Sequence, residues 1–218
     1  MEEKSLFSVI SPIMVGPSSS HTAGAVRLGL IARNIFNHDF KTVKFILYNS
    51  YAETGYGHGT DKGLLAGLMG YSVDNPDIKN IFNIIKNIDY SFEYVQDISR
   101  HPNSVDIIID DTMKLSGNSI GAGEVEITNV NDFSINIKGH FDTLVVMYKD
   151  KPGMISHVCD LIQKKNINIA KLYCDRDSKG GKASMCIKLD YAPDDILVNS
   201  IKELQDVYYV TNVRKLVQ

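Results

Sequence analysis

Hydrophobic and polar positions follow two different periods in the first third of the chain. Apolar side chains recur at helical spacing over residues 23–36, which predicts an amphipathic helix ending near Asn37. Residues 41–49 instead form a short apolar run of β-favouring residues, which predicts a strand. A short helix over residues 61–69, stopped by Gly70, is predicted next. The first third of the chain is therefore predicted to mix helices with a strand.

The clearest helical periodicity begins at residues 75–77, where an Asn-Pro-Asp sequence marks a helix start. Isoleucine and phenylalanine then recur on one stripe as far as Ile88, which predicts a helix that packs on the core. A glycine-rich turn at residues 117–123 precedes a predicted hairpin. Strand patterns occupy four segments: 92–98, 105–110, 124–130 and 133–138. Because helices and strands alternate irregularly, the predicted fold class is α+β rather than a doubly wound sheet.

The pattern changes at Gly139 and becomes regular. The predicted order is strand, helix, strand, strand, helix, strand, over residues 141–148, 150–165, 167–175, 183–189, 193–204 and 207–216. This βαββαβ order is the ferredoxin-like plan. We therefore predict two domains, an N-terminal α+β domain over residues 1–138 and a C-terminal ferredoxin-like domain over residues 139–218.

A run of hydroxyl side chains leads directly into the first predicted helix. Residues 16–24 contain Ser18, Ser19, Ser20, His21 and Thr22. A hydroxyl that caps this helix would leave backbone N–H groups and the positive end of the helix dipole facing outward, which suits a carboxylate or phosphate. The alternative interpretation is a Ser/Thr cap whose remaining hydroxyls only meet solvent.

A second segment, residues 54–61, places His58 among glycines at every second position. Glycine lets a ligand approach the backbone closely, and we expect this segment to be a loop at the end of the sheet. Because an unperturbed imidazole titrates near neutral pH, His58 and His21 together suggest an acid/base pair. Thr60 and Asp61 either orient the His58 ring or, in the case of Asp61, cap the helix that follows.

Together these motifs resemble a known family. With the Arg-His-Pro-Asn sequence at residues 100–103 and the glycine-rich segment 117–123, they resemble the β chain of the two-chain, iron–sulfur-dependent L-serine dehydratases (L-serine deaminases). The resemblance covers essentially the whole chain. One departure is Ala122, which replaces the middle one of three consecutive glycines in the family. The N-terminal domain also resembles the allosteric substrate-binding domain of some phosphoglycerate dehydrogenases.

The resemblance implies a subunit of an enzyme that converts L-serine to pyruvate and ammonia. A [4Fe–4S] cluster on a partner α chain would activate the serine hydroxyl, and this chain alone would be inactive. His58 and His21 would be the acid/base residues, and we favour His58 as the base because its glycine-flanked position allows the closest approach. The substrate-binding residues that the resemblance implies are Ser18, Ser19, Ser20, Thr22, Thr60, Asp61 and Asn103. His101 is either a site residue or part of a rigid turn before Pro102.

The C-terminal domain resembles an ACT domain, a small regulatory module that often binds amino acids where two copies pair. The Asp-Lys-Pro-Gly turn at residues 150–153 and the Asn-Ile-Asn-Ile sequence at residues 166–169 carry this resemblance. It implies effector contacts from Asp150, Gly153 and Asn168, with serine as the expected ligand. It also implies self-association through this domain.

Composition and charge argue against several other kinds of protein. The net charge of −3 and the absence of a basic cluster argue against nucleic acid as a partner. The charged N-terminus and the lack of a run of about twenty apolar residues argue against a signal peptide or a membrane span, so we expect a cytoplasmic protein. The three cysteines, Cys159, Cys174 and Cys186, suit a reducing compartment, and we expect them to bind no metal.

A competing hypothesis is a non-catalytic amino-acid sensor, which would bind an anionic ligand without chemistry. Pure anion binding would more naturally use arginine or lysine, and Arg27 is the only basic residue near the first motif. The pair His21 and His58 therefore favours the enzyme subunit. Serine deamination by a complex with a cysteine-bearing partner would decide between the two hypotheses.

Overall fold

The computed structural model describes residues 14–216. Backbone contacts divide the chain into two compact units, and the division falls between Ile127 and Thr128. Sequence analysis predicts a domain boundary after residue 138. Residues 14–216 combine eight segments of helix with two separate β-sheets, which confirms the α+β class. Within residues 14–216, no helix is long and apolar enough to span a membrane.

The first sheet contains β1 (Thr42–Tyr48), β2 (Asp89–Val95), β3 (Ser104–Ile109), β4 (Met113–Gly121), β5 (Glu124–Val130) and β6 (Phe133–Ile137). The strand order is β2-β1-β3-β4-β5-β6. Strand β1 runs parallel to β2 and antiparallel to β3, and β3 pairs antiparallel with β4. Phe45 and Leu47 of β1 are fully buried, as the apolar pattern of this segment predicts. The predicted strands and hairpin are confirmed, with bounds that shift by a few residues.

Helical segments of the first unit are a π-helical turn (Ser19–Ala23), α1 (Gly24–Phe36), α2 (Ser50–His58), α3 (Thr60–Leu68), a 3₁₀ segment (Pro76–Asn80) and α4 (Ile81–Ile84). Helix α1 confirms the prediction from periodicity. It ends where Asn37 adopts a left-handed conformation and donates its backbone N–H to the Arg33 carbonyl. Helix α3 is also confirmed, and the chain turns after it at Gly70, whose φ is +90°.

Helices α1 and α3 cross with their backbones in contact. A β-carbon at Gly67 would lie 2.0 Å from the Val26 carbonyl oxygen, and one at Gly29 would lie 2.5 Å from the Leu64 carbonyl oxygen. Only glycine permits so close an approach. The crossing therefore fixes the distance between the helix that follows His21 and the helix that follows the second histidine motif.

The predicted loop around His58 is wrong, because residues Ser50–His58 form helix α2. Buried contacts outweigh the low helix propensity of its glycines. Tyr51 is fully buried, and its hydroxyl donates to the Ser20 carbonyl at 2.9 Å. Gly55 lies where a β-carbon would come within 3.3 Å of the Thr60 side chain. The helix ends at Gly59, whose φ of +69° is left-handed.

Two further predictions need correction. The predicted isoleucine-rich helix stops at Ile84, and Ile85 is already extended because the chain turns towards β2. The predicted glycine-rich turn is mostly strand β4, since a β-carbon at Gly117 would lie 2.8 Å from Leu28 and 2.7 Å from Ile127. The turn itself is confined to the residues between β4 and β5, where Ala122 has a φ of 53°.

The second unit contains β7 (Asp142–Lys149), α5 (Met154–Lys164), β8 (Ile169–Arg176), β9 (Lys182–Leu189), α6 (Asp195–Lys202) and β10 (Val207–Val213). Its sheet has the order β10-β7-β9-β8, and each pair of neighbouring strands is antiparallel. The core combines the inner faces of both helices with the sheet, as at Val146, Val158 and Ile201. The predicted ferredoxin-like βαββαβ plan is confirmed.

Candidate active site

The π-helical turn before α1 presents His21. Ser18 caps this turn, and its Oγ accepts a hydrogen bond from the His21 backbone N–H at 3.1 Å. Both the Tyr51 hydroxyl and the Ser119 hydroxyl donate to the Ser20 carbonyl at 2.9 Å. Because Tyr51 lies in α2 and Ser119 in β4, two other elements of the fold hold the backbone that carries His21 in place.

Both ring nitrogens of His21 have hydroxyl neighbours. Nδ1 lies 3.2 Å from Ser20 Oγ and 3.5 Å from Ser18 Oγ, and Nε2 lies 2.9 Å from Thr54 Oγ1 and 3.4 Å from Ser50 Oγ. The Thr54 hydroxyl donates its proton to the Ser50 carbonyl at 2.8 Å, so its oxygen is left to accept a proton from His21 Nε2. The network therefore favours the tautomer with hydrogen on Nε2.

Burial lowers the pKa of His21 below its ordinary value, and the neighbouring His58 lowers it further, against a smaller opposite effect of the Ser50 carbonyl. The two imidazole rings lie 5.1 Å apart between centroids and are tilted by 43°. A second positive charge at this distance is unfavourable. His21 is therefore neutral over the pH range in which an ordinary histidine begins to gain its proton.

His58 is the last residue of α2 and is exposed. Its Nδ1 lies 3.0 Å from the Thr54 carbonyl oxygen, which accepts only, so Nδ1 carries the proton. The backbone carbonyl of His58 accepts a hydrogen bond from Thr22 Oγ1 at 2.7 Å. The arrangement leaves Nε2 of His58 with a free lone pair, which is the form that a general base needs.

The structure does not bring Thr60 or Asp61 to the His58 ring. Thr60 is fully buried in the first turn of α3, and its Oγ1 has no hydrogen-bond partner among the described residues. Asp61 is also buried and accepts a hydrogen bond from the Lys62 backbone N–H at 2.8 Å. Burial raises the pKa of Asp61 above its ordinary value, more than the bond and charge of Lys62 lower it. Both residues belong to the start of the helix that follows His58.

The segment after β2 packs against the start of α2. The Pro102 carbonyl accepts from the Tyr51 backbone N–H at 3.3 Å. His101 Nδ1 accepts from the Asn103 backbone N–H at 3.1 Å, which is a local turn contact. Asn103 Oδ1 is buried and has no partner among the described residues. Asn103 therefore offers an unused polar atom in this segment.

Sequence analysis missed a buried charge cluster around Asp106 that anchors this segment. The Arg100 guanidinium donates to both carboxylate oxygens at 2.8 and 3.0 Å. Lys114 forms an ion pair at 2.8 Å, and the hydroxyls of Ser116 and Tyr48 donate at 2.6 and 3.0 Å. Although burial alone raises the pKa of Asp106, hydrogen bonds from Arg100, Lys114 and Ser116 lower it below its ordinary value.

Sequence analysis also missed Ser50, Thr54, Tyr51 and Ser119 as parts of the site. Ser50, Thr54 and His58 follow one another at intervals of four residues, which places them on one face of a helix. That signal appears only if residues 50–58 are read as helical. Of the predicted residues, the structure brings together His21, His58, Ser18, Ser20 and Thr22.

A cavity of about 200 Å³ opens beside His58. This volume is far larger than the ~15 Å³ that one water molecule needs, so the cavity accommodates a small molecule. The polar and glycine residues in its wall include Gly16, Thr22, Gly57, His58, Lys62 and Lys79. The end of α2, the start of α3 and the 3₁₀ segment therefore meet at one concave surface.

The predicted effector residues of the second unit already have contacts. Asp150 accepts from the Arg176 guanidinium at 2.9 Å and from the Gly180 backbone N–H at 3.0 Å. The Asn168 amide donates to Asp190 Oδ2 at 3.0 Å. Gly153 precedes α5 in a left-handed conformation, with a φ of +89°. Asp150 therefore closes the β8–β9 hairpin, and Asn168 joins the start of β8 to the end of β9.

Comparison with known proteins identifies the family of the chain. Residues 5–121 match the family described as Serine dehydratase beta chain. The chain belongs to this family. Residues 144–211 match the AHAS small subunit-like ACT domain, so the second unit contains an ACT domain. Both parts of the resemblance predicted from the sequence are confirmed.

Curated serine dehydratase beta chains align with nearly the whole chain. The probable L-serine dehydratase beta chain of Bacillus subtilis (strain 168) is 36% identical over 218 residues, covering 98% of this chain and 99% of that protein. The L-serine dehydratase beta chain of Peptoniphilus asaccharolyticus is 34% identical over 209 residues, covering 93% and 92%. A beta chain implies a partner alpha chain, so this chain is a subunit of an enzyme complex.

A more distant relative is the D-3-phosphoglycerate dehydrogenase of Synechocystis sp. (strain ATCC 27184 / PCC 6803 / Kazusa). It is 32% identical over 98 residues, which cover 44% of this chain and 18% of that protein. The predicted likeness to phosphoglycerate dehydrogenases is therefore found as well. It concerns a small part of that longer enzyme, unlike the match to serine dehydratase beta chains.

Proposed function

We propose that this chain is the β subunit of an L-serine dehydratase that converts L-serine to pyruvate and ammonia. The observation that carries the proposal is the pair of imidazoles, 5.1 Å apart, of which His58 keeps a free Nε2 lone pair. A pure anion sensor has no need for two histidines with fixed tautomers. Family membership supports the same conclusion.

His58 acts as the base in this proposal and His21 as its acid/base partner. Nε2 of His58 takes the proton from the α-carbon of serine, since Nδ1 is already protonated and bonded to the Thr54 carbonyl. His21 is neutral, because burial and His58 lower its pKa. Because a neutral His21 carries no charge, it does not repel the positive charge that His58 gains when it accepts the proton.

The hydroxyl residues of the first motif divide into two roles. Ser18 and Ser20 position His21, and Thr22 positions the end of α2 through the His58 carbonyl. Ser19 and Asn103 remain proposed substrate contacts, since an unpaired amide oxygen suits the ammonium group of an amino acid. Thr60 and Asp61 support the site by shaping the start of α3.

A [4Fe–4S] cluster belongs, in this proposal, to the partner α chain. Among residues 14–216, no group of three or more cysteine, histidine, aspartate or glutamate side chains is arranged to hold a metal. The three thiols, Cys159, Cys174 and Cys186, are free and range from exposed to buried. The donor set of this chain therefore does not fit the cluster, whose contribution would be to activate the serine hydroxyl for departure.

The ACT domain is proposed to pair with a second copy of itself and to adjust activity in response to serine. Free thiols suit a reducing compartment, so we place the enzyme in the cytoplasm. Nucleic acid and membrane are not partners in this proposal.

Anaerobic co-expression with the α chain tests the proposed function. The complex should contain iron and release pyruvate from L-serine, whereas this chain alone should have neither iron nor activity. A complex that contains iron but leaves serine unchanged would favour the amino-acid sensor instead. Stoichiometric iron and sulfide in the isolated chain would contradict the proposed division of labour.

The histidines can be tested in the same complex. His58→Ala and His21→Ala should each lower kcat by a factor of about 100 or more, because each variant removes a group that moves or stabilises a proton. Co-purification with the α chain serves as the control for assembly. Near-normal turnover in either variant would remove that histidine from the mechanism.

A further inference from the structure

The cavity beside His58 contains two positively charged side chains. Lys62 and Lys79 both line it, and within residues 14–216 neither ammonium group has a hydrogen bond or a close ion pair. Asp61 is next to Lys62 in sequence and interacts with its charge, but its buried carboxylate accepts from the Lys62 backbone N–H and forms no ion pair with the ammonium group. Asp77, two residues before Lys79, is exposed and forms no close ion pair with it among residues 14–216. Among the described residues, the wall of the cavity contains no aspartate or glutamate. An anionic ligand would therefore meet two ammonium groups that form no direct ion pair with another described side chain.

Three of the four hydroxyls before α1 already contact the histidines. Ser18 and Ser20 lie at Nδ1 of His21, and Thr22 donates to the His58 carbonyl. These contacts orient the rings and leave the substrate carboxylate without a cationic partner in that motif. A second group must therefore neutralise the negative charge.

Glycines keep the approach to this cavity open. A β-carbon at Gly57 or Gly59 would meet nothing within 4 Å, so no side chain fills the space in front of them. Gly57 and His58 lie in the same wall as Lys62. A ligand that enters there lies beside both the His58 ring and the lysine side chains.

We propose that Lys62 and Lys79 bind the carboxylate of the amino-acid substrate in this cavity, with Lys62 as the principal contact. The proposal rests on the proposed function and adds to it the group that recognises the acid end of the substrate. A charge-assisted hydrogen bond from an ammonium group is stronger than one from a neutral hydroxyl. The substrate would thus be held by its carboxylate while its α-carbon faces His58.

The kinetic signature follows from the charge of the carboxylate, which stays constant during the reaction. Lysine therefore binds the ground state and the transition state about equally, and its loss raises KM without lowering kcat. In the assembled enzyme, Lys62→Met should raise KM for L-serine by about 10- to 100-fold, with kcat changed by less than about threefold. Lys79→Met should have the same effect in a smaller degree.

Two variants control for charge and for position. Lys62→Arg keeps the positive charge and should recover most of the affinity. Lys86→Met removes an exposed lysine whose Nζ contacts only the Phe82 carbonyl, and should leave KM unchanged. As a chemical control, competitive inhibition by L-serinamide, in which an uncharged amide replaces the carboxylate, should not weaken in Lys62→Met. An unchanged KM for L-serine in both Lys62→Met and Lys79→Met, or a loss confined to kcat, would overturn the proposal.

A binding measurement separates this proposal from the proposed function. If the wild-type complex does not deaminate serine, the proposed function fails. Ligand-observed NMR with L-serine and the full chain, with Asn168→Ala in every protein to remove the proposed ACT-domain contact, then tests the cavity. Weaker binding to Lys62→Met than to wild type and Lys86→Met would support the lysine contact. Equal binding to all three proteins would overturn it.

Discussion

Thr54 is the residue on which both imidazoles depend. Its hydroxyl oxygen lies 2.9 Å from His21 Nε2, and its carbonyl oxygen lies 3.0 Å from His58 Nδ1. Because the hydroxyl donates to the Ser50 carbonyl, its oxygen can only accept from His21. One threonine thus selects the tautomer of both histidines, through its side chain for one and its backbone for the other.

Replacing this hydroxyl tests its role as a positioning group. Thr54→Val keeps the shape of the side chain but leaves His21 Nε2 with only the longer contact to Ser50 Oγ at 3.4 Å, so kcat should fall by about tenfold or more with little change in KM. Thr54→Ser retains the oxygen and should stay close to wild type. The measurement is kcat and KM of the assembled enzyme together with a thermal unfolding curve. Equal kcat values for the valine and serine variants would exclude the role proposed for the hydroxyl.

At the scale of helices and strands, the carboxylate of Asp106 joins three strands to the segment after β2, which packs against α2. Tyr48 ends β1, Asp106 lies in β3, and Lys114 and Ser116 lie in β4, while Arg100 comes from the segment after β2. The Asp106 side chain is fully buried, whereas those of Arg100 and Lys114 are partly exposed. Their hydration reduces the cost of leaving them unpaired, so the cluster contributes less than a fully buried ion pair.

Asp106→Asn should lower the free energy of unfolding by about 2 kcal/mol at neutral pH, because it removes charged contacts. Since the folded state lowers the pKa of Asp106, this stabilisation is complete above about pH 4 and is lost as pH falls through the lower folded pKa. Urea unfolding at several pH values measures the effect. The stability of Asp106→Asn should depend less on acid than that of wild type, and Asp111→Asn, in the exposed turn between β3 and β4, is the control. Identical acid profiles for all three proteins would contradict this assignment.

The crossing of α1 and α3 makes a second prediction at this scale. Gly67→Ala improves helix propensity, but its β-carbon would overlap the Val26 carbonyl, so we expect a loss of about 2 kcal/mol or more in unfolding free energy. Gly57→Ala is a matched helical glycine whose β-carbon meets nothing within 4 Å, and it should be at least as stable as wild type. Chemical denaturation of the full chain compares the two. A Gly67→Ala protein as stable as Gly57→Ala would mean that the helices can move apart at little cost.

At the scale of the whole molecule, the sequence predicts those elements that their own apolar residues specify. It does not predict elements that depend on contacts between segments distant in sequence. The second unit and α1 were predicted because their apolar residues alone specify the elements. Helix α2 was not, since it depends on Tyr51, whose burial and bond to Ser20 join segments distant in sequence. The roles of Thr54 and Ser50 were hidden for the same reason. The Asp106 cluster has no local signal, because its members come from separate strands.

The ACT domain is expected to respond to serine independently of the cavity at His58. In the Lys62→Met background, L-serine should still raise the melting temperature of the full chain, because a ligand that binds only the folded state stabilises it. Asn168→Ala should remove that shift, and Asn34→Ala, on α1, should not. Sedimentation of the same proteins measures self-association. If serine stabilises Asn168→Ala as well as its parent, Asn168 has no part in effector binding.

The helical state of residues 50–58 sets a rule for the length of this segment. Each residue of an α-helix turns the chain by about 100°, so one added or deleted residue between Ser50 and His58 would rotate the His58 ring away from His21. A loop could accommodate an added or deleted residue by a local change of conformation. In a helix, the same change rotates all residues that follow it. Insertions should therefore be tolerated in the loop between α1 and β1, residues 37–41, but not inside α2. The number of residues from Ser50 to His58 therefore sets the distance between the two imidazoles, and this number cannot change.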